Sequence, residues 1–148
     1  MRNRLCISGA ILLLVASDAL SFVRAQDAST AASPDQLTRS FAINLLRAIN
    51  TAENDYRYHH NGVYAPWETL VTSPEFTTKG LPWAAKMDPQ LAGIHLLPRP
   101  EILEGWALRL DLTSSGYDAL LEYTADKASG YAAETDERGL IRECWTIR

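Results

Sequence analysis

Cysteine is almost missing from this chain: its 148 residues carry only Cys6 and Cys144. A small scaffold stapled by several disulfides is therefore excluded. Eight glycines and seven prolines are too few for a fibrous or low-complexity protein. A basic excess is absent as well, because Lys and Arg number 14 against 18 Asp and Glu, for a net charge of −4. Nucleic-acid binding needs a concentrated positive surface, so that class falls away. Long hydrophobic runs are missing too: Leu5 to Ser17 is about 13 residues, short of the roughly 20 a spanning helix needs. What is present is 47% hydrophobic and 22% charged residues, enough to bury the core of a single folded domain.

The N-terminus reads as an export signal. Arg2 and Arg4 form a basic start, Leu5 to Ser17 an apolar stretch, and Phe22-Val23-Arg24-Ala25 offers small residues at the positions a signal peptidase inspects. Residues 1–25 are expected to be removed, with cleavage between Ala25 and Gln26 and a periplasmic or secreted product. The alternative is an inner-membrane anchor through residues 5–23, but Asp18 would then lie in hydrocarbon at a cost of about 2.5–3.5 kcal/mol. Cleavage would also remove Cys6 and leave Cys144 as the lone thiol, expected half-buried, free and slow to react.

Residues 26–33 are rich in Ala, Ser and Thr without apolar periodicity and read as a flexible lead-in. Ser33-Pro34-Asp35-Gln36 has the chemistry of a helix start, with a hydroxyl cap, a proline at the first position and a capping-box glutamine. Leu37, Phe41, Leu45, Ile49, Ala52 and Tyr56 recur every three or four residues, which predicts one long amphipathic helix. Arg39, Arg47, Glu53 and Arg57 fall mostly off that stripe, and His60-Asn61-Gly62 closes it. From Val63 to Gly105 prolines punctuate an irregular connection, with short helical turns expected at Pro66 and at Asp88-Pro89. Four strands then follow: Trp106 to Thr113, Tyr117 to Thr124, Tyr131 to Asp136 and Leu140 to Trp145. Residues 34–148 are thus expected to form a single α+β domain, one helix lying on a four-stranded antiparallel meander.

Site chemistry is sparse. His59 and His60 are adjacent, point about 100° apart on a helix and cannot chelate one ion together. His95 is remote from both. Asp126, Glu134 and Asp136 lack the dense alternation of a calcium loop and suit strand ends. Thr113-Ser114-Ser115-Gly116 is a turn without a nucleophile elbow, and Cys144 stands between a carboxylate and a bulky ring, neither of which activates a thiol. No catalytic residue, cofactor site or metal site is predicted, and the chain is expected not to be an enzyme. Trp67, Phe76 and Trp83 either fill the space between connection and sheet or line a pocket.

Three stretches in order carry a family resemblance. Ala48 to Glu53 and on to Tyr56 resembles the exposed half of a long pilin helix. Asn61-Gly62-Val63-Tyr64-Ala65-Pro66, followed by Leu70, resembles the turn after it, and Tyr131 through Thr135 to Arg142 resembles a terminal hairpin. Met87 to Gly93 is a weaker echo in the connection. The ensemble resembles the globular part of type IV pilins and of the pseudopilins of type II secretion systems. Their leader, which ends in glycine ahead of an apolar helix with an early glutamate, has no counterpart in Gly9-Ala10-Ile11-Leu12-Leu13-Leu14. The resemblance implies a pilin-like fold and a non-catalytic structural or interaction module of the bacterial cell envelope. Its partners would be other envelope, pilus or secretion-system proteins. Two alternatives accompany it: a small-ligand or inhibitor domain of the cystatin-like, helix-on-meander type, and a minor pilin anchored in the membrane.

Overall fold

The computed structural model describes residues 34–125 and 130–145. The lead-in, the Ser33 cap and the cleavage point at Ala25 and Gln26 lie outside the described residues. Helix α1 spans Pro34–His59 and is 26 residues long. It closes as its sequence predicts: Asn61 and Gly62 take φ of 55° and 84°, and the Gly62 amide donates back to the Arg57 carbonyl at 3.0 Å. The predicted stripe is buried from Phe41 through Leu45, Ile49 and Ala52. A second flank, Ala42, Leu46, Ala48 and Glu53, is buried as well. One stripe suits a helix covered on one side, and α1 is covered on two.

The first cover is the chain after the helix, which is more ordered than its prolines suggest. It forms α2 (Trp67–Leu70), a π-helical segment (Glu75–Gly80), α3 (Leu81–Met87) and a 3-10 turn (Pro89–Leu91). The turns expected at Pro66 and Asp88-Pro89 are both present. The π-helical segment and α3 were not expected, and the reason lies in how proline works. Pro66, Pro74, Pro82 and Pro89 each sit just before or at the first turn of a helical piece, where a missing N–H has no partner to lose. Asp88 accepts from the Gln90 amide at 3.0 Å and caps the last piece. Trp67 and Phe76 meet edge to face, centroids 5.6 Å apart, and both are buried.

The second cover is an antiparallel meander of strands β1 (Glu101–Leu103), β2 (Trp106–Leu112), β3 (Tyr117–Tyr123), β4 (Tyr131–Asp136) and β5 (Ile141–Trp145). They pair in chain order. The fold is thus α+β, a helix packed on a five-stranded sheet, and the expected count of four strands is corrected by β1. That strand is three residues long and its pairing with β2 shifts register between Glu101 and Leu103. A strand so short and irregular shows no alternation to detect. Along β2 and β3 every second residue from Trp106 to Leu110 and from Tyr117 to Leu121 is buried toward the helix. Phe41 of α1 reaches Trp106 with ring centroids 5.0 Å apart. At the far edge of the sheet the Arg39 guanidinium donates two hydrogen bonds to the Glu143 carboxylate, which also accepts from the Tyr131 hydroxyl at 3.1 Å. Among the described residues no helix is long and apolar enough to cross a membrane.

Candidate functional site

The residues singled out for chemistry do not converge. His95 is exposed in the connection, and His60 stacks on Tyr56 with centroids 3.7 Å apart. Asp126 lies outside the described residues. Glu134 faces Arg142 at 3.6 Å, and Asp136 is held by Arg138 at 2.6 Å and Arg142 at 3.7 Å. The Arg138 hydrogen bond keeps the Asp136 carboxyl below the usual carboxylate range. Thr113 Oγ1 accepts from the Gly116 amide at 2.9 Å and closes the β2–β3 turn. Cys144 is free and exposed on β5, which corrects the expectation of a half-buried thiol. Glu143 points to the opposite face, where Arg39 and Tyr131 occupy it, so its charge is already committed.

The aromatics divide. Trp67 and Phe76 are core, and the Trp67 indole N–H donates to the Leu97 carbonyl at 3.0 Å. Trp83 is 43% exposed. Beside Phe76 a shallow cleft is lined by Val71, Leu81, Ile94 and Leu96.

Three constellations formed by the fold are less visible in the sequence. The first lies between α1 and the sheet. Asn50 accepts from the Tyr117 hydroxyl at 2.6 Å and donates to Thr135 Oγ1 at 2.9 Å, all three buried. One turn on, Glu53 is fully buried, although the helical pattern sets it off the stripe. One carboxylate oxygen accepts from the Ala65 amide at 3.0 Å and the other, Oε1, has no partner. Burial raises this carboxyl from an ordinary 4.5 to about 7, against the smaller opposing effect of the Ala65 hydrogen bond. The Tyr117 hydroxyl is pushed up chiefly by burial, with the Glu53 charge adding to it. Arg57, one turn beyond, donates to the Tyr64 hydroxyl at 3.1 Å.

The second is the outer face of the sheet. Arg109 stands opposite Leu120, Leu120 opposite Glu134, and Glu134 opposite Arg142. In the next row Asp111, Asp118 and Asp136 stand abreast on three strands. Like charges opposed in this way are unfavourable, and arginines offset them: Arg109 reaches Asp111 at 3.2 Å, and Arg138 holds Asp136.

The third is at the C-terminal end of α1, where Asp55 and His59 meet Glu75 of the π-helical segment. His59 Nδ1 is 3.8 Å from Asp55 Oδ1 and 3.9 Å from Glu75 Oε1, and Lys79 Nζ is 2.6 Å from Asp55 Oδ2. In the sequence His59 stands out only beside its neighbour His60. The Asp55–His59 spacing of four residues was there to find, but Glu75 is brought in by a helical segment that the prolines disguised. Against this geometry, comparison with known proteins gives no match: no family model, no curated protein and no solved structure matches the chain.

Proposed function

We propose that the chain is an exported, non-catalytic module of the bacterial cell envelope, pilin-like in its globular part, acting through structural contacts or binding. The observation that carries this reading is the order of parts: a long N-terminal helix, a connection that packs back along it, then an antiparallel meander receiving the helix. That is the order in which the three pilin-like stretches occur. The charged outer face of the sheet, Arg109, Asp118, Glu134 and Arg142, supplies a surface for a polar partner. The N-terminal pattern supports delivery to the envelope.

Cell fractionation with N-terminal sequencing, combined with photo-cross-linking from position 120, tests the proposal. Leu120 is half-buried in the middle of the outer face, so a cross-linker there samples whatever docks on it. The expected result is a mature chain beginning at Gln26 in the periplasm or medium, with discrete adducts to envelope proteins. A chain retaining Met1 in the cytoplasm overturns the reading, and an intact Met1 in the membrane fraction replaces it with the anchored form.

A further inference from the structure

We propose that Asp55, His59 and Glu75 form a binding site for a divalent transition-metal ion of the zinc class. Asp55 and His59 are four residues apart on α1 and therefore project from the same face, one turn after the other. Glu75 opens the π-helical segment, which runs back along α1, with Lys79 beside Asp55 and Gly80 against Ala48. One ligand atom from each of the three side chains lies within 4.8 Å of the other two. Ligands of a tetrahedral zinc ion at about 2.0–2.2 Å lie roughly 3.4 Å from one another. The 3.8 and 3.9 Å separations from His59 Nδ1 would therefore close by about half an ångström, and that between the Asp55 and Glu75 oxygens, within 4.8 Å, by up to about 1.4 Å.

The second observation concerns Glu75 itself. It is 9% exposed, its Oε1 is directed at His59, and its Oε2 is buried with no hydrogen-bond partner. A carboxylate placed so deep without a full set of partners is costly, and a bound cation is the partner this geometry can accept. Lys79 does not fill that role, because its ammonium is on the other oxygen of Asp55.

The donor set selects the ion. One imidazole with two carboxylates suits zinc and its neighbours, whereas magnesium and calcium prefer oxygen throughout. Three protein ligands leave a fourth position, and His59 is exposed, so that position opens to water or to a donor from another chain. Without metal, His59 Nδ1 lies 2.8 Å from the Asp55 carbonyl oxygen and carries the proton of that bond. Binding through Nδ1 requires the proton on Nε2 instead, and the ring gives up the carbonyl contact. The ion would tie the end of α1 to the π-helical segment.

Equilibrium dialysis and thermal unfolding of the untagged, metal-stripped full chain test this, with zinc chloride and magnesium chloride as probes. One zinc per chain is expected, with a transition raised by zinc and unmoved by magnesium. His59→Ala, an exposed position that should fold normally, is expected to abolish both effects, while His60→Ala and Cys144→Ser keep them. Glu75→Gln should weaken binding at least tenfold. Should that variant fail to fold, cobalt absorption of the native chain and of His59→Ala gives the same answer, with d–d bands expected in the first alone. Absence of stoichiometric zinc in the native chain, or equal binding by His59→Ala, overturns the proposal and leaves an ion-pair cluster only. Neither result bears on export, which fractionation decides separately.

Discussion

Glu53, on the inner side of α1, accepts a hydrogen bond from the amide of Ala65, twelve residues ahead in the chain, at 3.0 Å. The bond fixes the chain where it leaves the helix and turns toward α2. It also places a carboxyl in the core with one oxygen unpartnered, so the acid is held largely neutral up to about pH 7. In the unfolded chain the same group ionises around 4.5. Below that pH it is neutral in both states and its contribution to stability is complete. As pH rises from 4.5 to about 7 the unfolded chain alone loses the proton, and stability falls by roughly 3 kcal/mol in all. Glu53→Gln removes the titration while keeping an acceptor for Ala65. The difference in unfolding free energy between native and variant proteins should therefore move by ~3 kcal/mol in the variant's favour between pH 4 and pH 8. Denaturant titrations across that range check it, and parallel pH profiles would refute it.

How much of this was legible beforehand depends on which force wrote each feature. The helix from Pro34 to His59, its left-handed close at Asn61 and Gly62, and four of the strands follow from local signals: periodicity, caps and turns. The burial of Glu53 is hidden in the sequence because periodicity weighs polarity, and a carboxylate off the apolar stripe is expected to be wet. The cover that the connection lays on α1 is a tertiary fact, made in part by a π-helical segment whose flanking prolines, Pro74 and Pro82, suggest a loop. The same segment delivers Glu75 to His59. Strand β1 was missed because pairing with β2, rather than its own pattern, defines it.

The Asn50 network gives an asymmetric prediction. Tyr117→Phe takes one donor from the buried Asn50 Oδ1 and should cost about 1–3 kcal/mol. Asn50→Ala leaves both the Tyr117 hydroxyl and the Thr135 hydroxyl without this partner in a buried place, and should cost about 2–4 kcal/mol. In the double variant the losses should fall short of the sum by at least 0.5 kcal/mol. Additive losses in chemical unfolding would show that the contacts contribute independently.

Gly80 is needed for space rather than for an unusual backbone angle. Its φ is −60°, open to any residue, yet a Cβ there would sit 2.6 Å from the backbone oxygen of Ala48 and 3.4 Å from the Ala52 side chain. A backbone atom inside a helix cannot swing aside, so the π-helical segment must move off α1. Gly80→Ala should destabilise by about 1–3 kcal/mol, despite alanine's better helix propensity. Thermal unfolding measures it, and a variant as stable as the native chain would mean that the two segments are less closely packed.

Phe41 and Ile49 anchor the side of α1 that the periodicity identified. Phe41 is 4% exposed and Ile49 fully buried, and Phe41 stacks obliquely against Trp106. Truncating either to alanine leaves a cavity where helix and sheet meet, at a cost of about 2–5 kcal/mol. Midpoint shifts in urea should be of similar size for both. A negligible shift at Phe41 would mean that the first turns of α1 are held by the Arg39–Glu143 pair rather than by the ring.

Cys144 brings the sequence and structural expectations into direct conflict. A half-buried, shielded thiol would react slowly, but the residue lies exposed on β5, at the edge of the sheet, opposite Ala132 of β4. Adjacent strand residues face opposite ways, so the Glu143 carboxylate, drawn to Arg39 and Tyr131, lies on the other face and neither covers nor repels what approaches the sulfur. A thiol-specific chromogenic reagent should therefore titrate Cys144 fully in the native chain, without denaturant. Cys144→Ser should change stability by less than about 0.5 kcal/mol, as expected of an exposed edge position. Labelling that requires unfolding would place the sulfur under cover, and with it β5 in a register other than the one that sets Ala132 against Cys144.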